Sequence, residues 1–254
     1  MIIFLIKLIA APLLLALATL AARRWGTVLG WILIGLPLIS GPISVFLAIE
    51  NGAGFAVETA RGALAGTVAL AVFTCVYAAV CPKGWLKASF LSVALYVLAS
   101  WIAAELPISA VTLAVSAAAA IVLSLWIMPV PHSAAVKRRP PKHDLLMRMG
   151  MMMVLMIAIT FLAPYIGPTA SGIASTFPYM ALTMAVFSQI QGGPDNARRA
   201  MHGLMLGMYS GLVFNLVVWA LAAEDRLLIA YAAAIAAALA AQGVVLALTL
   251  KKTA

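Results

Sequence analysis

Ionisable side chains are rare in this chain, so the few that fall in or beside its apolar runs are the groups able to do chemistry. Glu58 and Arg61 stand three apart at the start of one apolar run, a spacing that pairs them on one helical face. Arg199 and His202 stand three apart at the start of a later run. Two readings are open for these four. They are interfacial charges at helix ends, or they are two gates on a solute path, one acidic and basic, the other basic. His202 is the natural proton-sensitive member, because imidazole titrates near neutrality. Lys7 and Arg148 each sit a few residues into an apolar run. Such long basic side chains snorkel to the interface, or they capture an anionic group of lipid or substrate. No Walker loop, GxSxG, HExxH or CxxC occurs, and His202 has no carboxylate at metal-ligand spacing. Neither an enzyme nor a metal or cofactor is expected.

Proline supplies the second set of candidates. Gly35-Leu36-Pro37 and Thr176-Phe177-Pro178 each interrupt the middle of an apolar run. Proline removes one backbone hydrogen bond and clashes with the preceding turn, and in lipid the freed carbonyls need partners. One reading is a packing kink. The other is a broken helix lining a central site, with Ser40, Thr183 and Gln189 nearby and Asn215 deeper in the next run. Gly62/Gly66 and Gly203/Gly207 form two GxxxG motifs, which let helices approach closely. The runs that carry them are expected to cross one another.

These residues must be held by membrane helices. The chain of 254 residues is 65% hydrophobic and 9% charged, against about 25% charged in a soluble domain. The net charge of +9 does not point to nucleic acid, because the basic residues sit in short loops between apolar runs, as the positive-inside rule requires. Cys75 and Cys81, six apart on one run, point in different directions and read as small apolar residues. Hydropathy predicts nine spans, at about 2–21, 26–49, 55–81, 85–103, 107–128, 144–164, 168–190, 197–222 and 227–250. The first run is expected to be a span rather than a cleaved leader, since Arg23 and Arg24 follow it instead of preceding it.

The sequence also repeats. Residues 5–79 align without a gap on 146–220, a shift of 141, with 18 of 75 pairs identical. Pro37 falls on Pro178, Gly52 on Gly193, Gly62 on Gly203, Gly66 on Gly207, and Lys7 on Arg148. The basic loops after alternate spans place the N-terminus outside and the C-terminus in the cytoplasm. That pattern puts the second copy in the membrane upside down, because one extra helix separates the copies. The expected fold is all-α and polytopic. Residues 1–105 form the first four-helix repeat and 106–128 the linker helix. Residues 129–143 form a cytoplasmic loop and 144–254 the second repeat.

With Leu5-Ile6-Lys7, Leu146-Met147-Arg148, the run Phe177-Pro178-Tyr179-Met180-Ala181-Leu182 and the glycines Gly193, Gly203 and Gly207, the chain resembles two fused copies of the small GlpM-type bacterial membrane proteins. Those are single copies of about half this length, so the linker helix is a departure. The resemblance implies a bacterial inner membrane and a tie to glycerol metabolism and exopolysaccharide production.

Inverted repeats are the architecture of many secondary transporters. The expectation is a transporter or exporter of a small metabolite, anionic if Lys7 and Arg148 engage it, working by alternating access. The alternatives are a channel-like pore and a membrane scaffold for envelope polysaccharide synthesis. The expected partners are the lipid bilayer and a small-molecule substrate, with a homodimer or an envelope-synthesis protein as the protein partners left open.

Overall fold

Long apolar runs that lack alternation must satisfy their backbone internally, and in this chain they do so as helices. The computed structural model describes residues 40–132 and 144–253, together with Leu13 and Pro37. Its order is α1 (Ser40–Asn51), α2 (Ala53–Val80), a 3₁₀ turn (Cys81–Lys83), α3 (Trp85–Glu105), α4 (Ala110–Ile127), α5 (Asp144–Ser175), α6 (Tyr179–Leu221) and α7 (Leu227–Thr253). No strand occurs among the described residues.

The molecule is an all-α protein built to sit in a membrane. The described residues hold five helical stretches long and apolar enough to cross one, not the nine spans predicted: Ala53–Lys83, Trp85–Glu105, Ala110–Ile127, Phe161–Leu221 and Leu227–Thr249. The difference has a physical source. Hydropathy divides a chain wherever polarity rises, and the single 61-residue stretch gathers the predicted spans at 168–190 and 197–222, although the helix stops at 176–178 and turns at Gly192 and Gly193. The first predicted span and most of the second lie outside the described residues.

A continuous helix over these 61 residues would be about 90 Å long, three times the apolar core of a bilayer, so the stretch has to break and bend. Glycine bends it. Gly167 inside α5 has φ 78° and ψ 172°, and Gly193 inside α6 has φ 77° and ψ −177°. Gly52, between α1 and α2, has φ 87° and ψ 176°. Only glycine enters this region readily. Pro168 and Pro194 follow two of the three glycines, at the first helical position where a missing N–H costs nothing. Gly52 and Gly193 are 141 residues apart. Ala53–Val80 and the part of α6 from 194 to 221 are offset by the same 141.

Helix α2 is the centre. It packs on α1, α3, α4, α5 and α6, and 61% of its apolar window is buried, against 28% for α3, 33% for α4 and 28% for α7. Those outer helices turn Phe90, Trp101, Trp126 and Leu228 outward, as lipid-facing helices do. Small residues let α2 sit so deep. A side chain on Gly62 would strike the Thr169 backbone, one on Gly66 would strike the Thr176 hydroxyl, and one on Gly172 would strike the Thr59 carbonyl. The first GxxxG therefore receives the short piece 168–175 that follows Gly167. In the second motif Gly207 is buried and Gly203 half-buried. Helices α2 and α6 do pack together.

Candidate functional site

Pro178 has no N–H to give, and helix stops at Ser175 and restarts at Tyr179. Two tightened bonds close the last turn, from Thr176 N to Ile173 O at 3.0 Å and from Phe177 N to Ala174 O at 3.1 Å. The neighbouring helix α3 holds the break. Its buried Tyr96 donates its hydroxyl to the Ile173 carbonyl at 2.9 Å and lies 3.0 Å from Thr176 Oγ1. The Tyr96 ring meets Phe177 edge-on, with centroids 5.6 Å apart and planes at 88°. Past the break, Tyr179 N bonds Phe177 O and Leu182 N bonds Pro178 O. The N–H groups of Met180 and Ala181 lie between them. As first-turn donors they have no intrahelical carbonyl to reach.

A cavity of about 130 Å³ lies at this break. Four pairs of its lining residues are separated by 141: Pro37 and Pro178, Ser40 and Ala181, Thr67 and Met208, Leu70 and Gly211. It thus draws equivalent positions from both copies of the repeat, with Thr176, Phe177 and Asn215 completing much of the wall. Thr67 stands at the midpoint of Ala53–Val80, and Met208 at the corresponding point of its helix, which sets the cavity at half the depth of both helices.

The wall is mostly apolar and, among the described residues, carries no charged side chain. Its hydroxyls are largely committed to backbone. Thr67 donates to Ala63 O at 2.8 Å and Ser175 to Gly172 O at 2.7 Å. Asn215, 2% exposed, donates one amide hydrogen to Gly211 O at 2.8 Å. Its repeat equivalent Thr74 donates to Leu70 O in the same manner.

The structure brings together Pro37, Ser40, Pro178 and Asn215 and leaves the other candidates elsewhere. Thr183 donates to Tyr179 O, one turn back on its own helix. Gln189 bridges α6 to the end of α2, accepting from the Tyr77 hydroxyl at 3.0 Å and donating to Cys81 O at 2.7 Å. Neither lines the cavity. Glu58 and Arg61 are a loose pair at 3.9 Å. Arg61 also donates to the carbonyls of Leu106 and Ile108, at 3.4 and 3.2 Å, just before α4. His202 Nε2 lies 3.2 Å from the Pro129 carbonyl, just after α4. These repeat-equivalent residues thus fasten the two ends of the linker helix. Arg199 donates to Asn196 Oδ1. Lys7 lies outside the described residues, as does the side chain of Arg148.

Sequence reasoning passed over Thr67 and Tyr96, and the ion pair of Arg198 with Asp195 at 3.0 Å. The 141 shift was the signal available for Thr67, since it ties that residue to a second helix. Comparison of the chain with protein-family models, with curated proteins and with solved structures gives no match.

Proposed function

We propose that this protein is a membrane transporter of a small solute that works by alternating access between two inverted repeats, with the cavity at Pro37 and Pro178 as the solute site. One observation carries the reading. The cavity sits at half the depth of the long helices and is walled by equivalent residues of both copies, which is where inverted-repeat carriers hold their solute. The loop charges support opposite orientation of the copies, with the N-terminus outside and the C-terminus in the cytoplasm. The GlpM-type likeness supports a bacterial inner membrane. A pore needs a continuous polar path, and the mostly apolar wall of this pocket fits a carrier better. A scaffold gives no reason for a chamber at a helix break.

The test needs no substrate. With Cys75 and Cys81 replaced, a cysteine is introduced by Ser40→Cys on the cavity wall. Right-side-out and inside-out vesicles are then treated with a small membrane-impermeant thiol reagent. Alternating access predicts labelling from both faces, while cysteine at buried Leu47 stays unlabelled. Labelling at Ser40→Cys from one face or from neither overturns the reading. Single-channel conductance across a planar bilayer overturns it in favour of a pore.

A further inference from the structure

We infer that the cavity binds a short monocarboxylate, a monovalent anion of no more than about six non-hydrogen atoms. This rests on the reading of the cavity as the solute site and adds the chemistry of the solute.

The start of α6 carries the argument. At two other helix starts the chain supplies its own acceptor. The Glu224 carboxylate accepts from Ala53 N at 2.7 Å at the head of α2, and the Ser109 hydroxyl accepts from Thr112 N at 3.1 Å at the head of α4. At the head of α6 the residue in the capping position is Pro178, which makes no side-chain cap. Met180 and Ala181 both line the cavity, and as first-turn residues their N–H groups have no intrahelical carbonyl to reach. Unsatisfied first-turn donors and the helix dipole together favour an anion. Glu224 demonstrates within the same molecule that a carboxylate suits such a place.

Asn215 is an independent observation. It is 98% buried by its 2% exposure and lines the same cavity. Its amide makes one bond, to Gly211 O, which leaves a second N–H and the carbonyl oxygen for a ligand. Ser40 also lines the cavity and brings a further hydroxyl. The hydroxyls of Thr67 and Ser175 are already donating to backbone.

Charge and size narrow the class. No carboxylate lines the cavity among the described residues. No full positive charge lines it either, and a helix end offers only about half a charge, which suits one negative charge and not two. A volume of about 130 Å³ is close to the roughly 150 Å³ of an engineered cavity that accepts benzene. Leu70, Phe177 and Met208 give the wall an apolar part for a short hydrocarbon tail.

The experiment is thermal unfolding of the purified full chain in detergent, titrated with sodium formate, acetate, propionate and butyrate at constant ionic strength. The matching amides and ethylammonium chloride are run beside them. The expected result is saturable stabilisation by the carboxylates, rising with tail length up to the limit of the cavity, with no effect of amides or ammonium. Asn215→Leu raises the apparent Kd about tenfold or more, as loss of a bond to a charged group does. Ser40→Ala, a milder change, raises it less and serves if Asn215→Leu does not fold. Thr183→Ala leaves it unchanged. A shift that does not saturate, or that survives both cavity variants, overturns the inference. Stabilisation by the amides or ammonium alone overturns it while leaving the transporter reading in place, and so does absence of any binding when Ser40→Cys labels from both faces. Absence of both binding and labelling brings down the transporter reading itself.

Discussion

Gly193 and Gly52 place their backbone at φ 77° and 87° with ψ close to 180°, a region where a β-carbon is strained by about 1–3 kcal/mol. Gly193→Ala is expected to destabilise the protein by that amount, read as a lowered unfolding midpoint in detergent. Gly243→Ala is the control. That glycine sits in regular helix α7 with open space where a β-carbon would go, so alanine there should be neutral or stabilising by up to about 1 kcal/mol. Equal effects at the two positions would show that the turn at Gly193 carries no special demand. At this scale the sequence was partly legible. Proline and glycine announce themselves because their backbone chemistry is unique, and Pro37, Pro178 and Asn215 do meet at one cavity. Thr183 and Gln189 did not follow, for reasons that chain proximity hides. A threonine on a helix has its own carbonyl four residues back as a partner, and Thr183 takes it. Gln189 is eleven residues past Pro178, about 16 Å along a helix, and reaches Tyr77 and Cys81 instead.

At the scale of elements, the close approach of α2 to the piece 168–175 decides where the break at Pro178 sits. Gly62 and Gly172 face backbone across this contact, and Gly66 faces Thr176. A backbone neighbour cannot swing aside as a side-chain tip can. Gly62→Leu is therefore expected to separate the two elements and cost at least the roughly 1–3 kcal/mol of an overpacked core, with a lower unfolding midpoint and an earlier, broader gel-filtration peak. An unchanged midpoint would mean that the contact is not tight. The motif was legible in the sequence and its partner was not. Small residues say that something comes near, and the shared shift of 141 suggested the other GxxxG helix. The structure gives Gly62 and Gly66 the segment after Gly167 instead. Helix number was misread for a related reason. Polar residues at 189–198 look like a loop by hydropathy, but Gln189 and Arg198 spend their polar atoms on Cys81 O and Ala78 O, and two helices meet there directly at the turn of Gly192 and Gly193.

For the whole molecule, the remaining question is which way each copy faces, and equivalent connections can answer it. The turn between α2 and α3 holds Lys83, and the turn between α6 and α7 holds Asp225; both residues are exposed. Shifting 83 by 141 gives 224, next to Asp225, so these are matching corners of the two copies. If the copies are inverted, matching corners lie on opposite faces of the membrane. In a chain without Cys75 and Cys81, Lys83→Cys is expected to react with an impermeant thiol reagent only from the cytoplasmic face, and Asp225→Cys only from the outside. Reaction of both from one face would make the repeat parallel and remove the basis for alternating access. The linker helix gives a mechanical reason to expect the first outcome. Arg61 holds the carbonyls before α4 and His202 the carbonyl after it, and α4 is an 18-residue helix of about 27 Å, nearly the thickness of the apolar core. If α4 spans the membrane, two residues at matching places in the repeat that are held to its opposite ends lie near opposite faces, as the proposed inverted copies require.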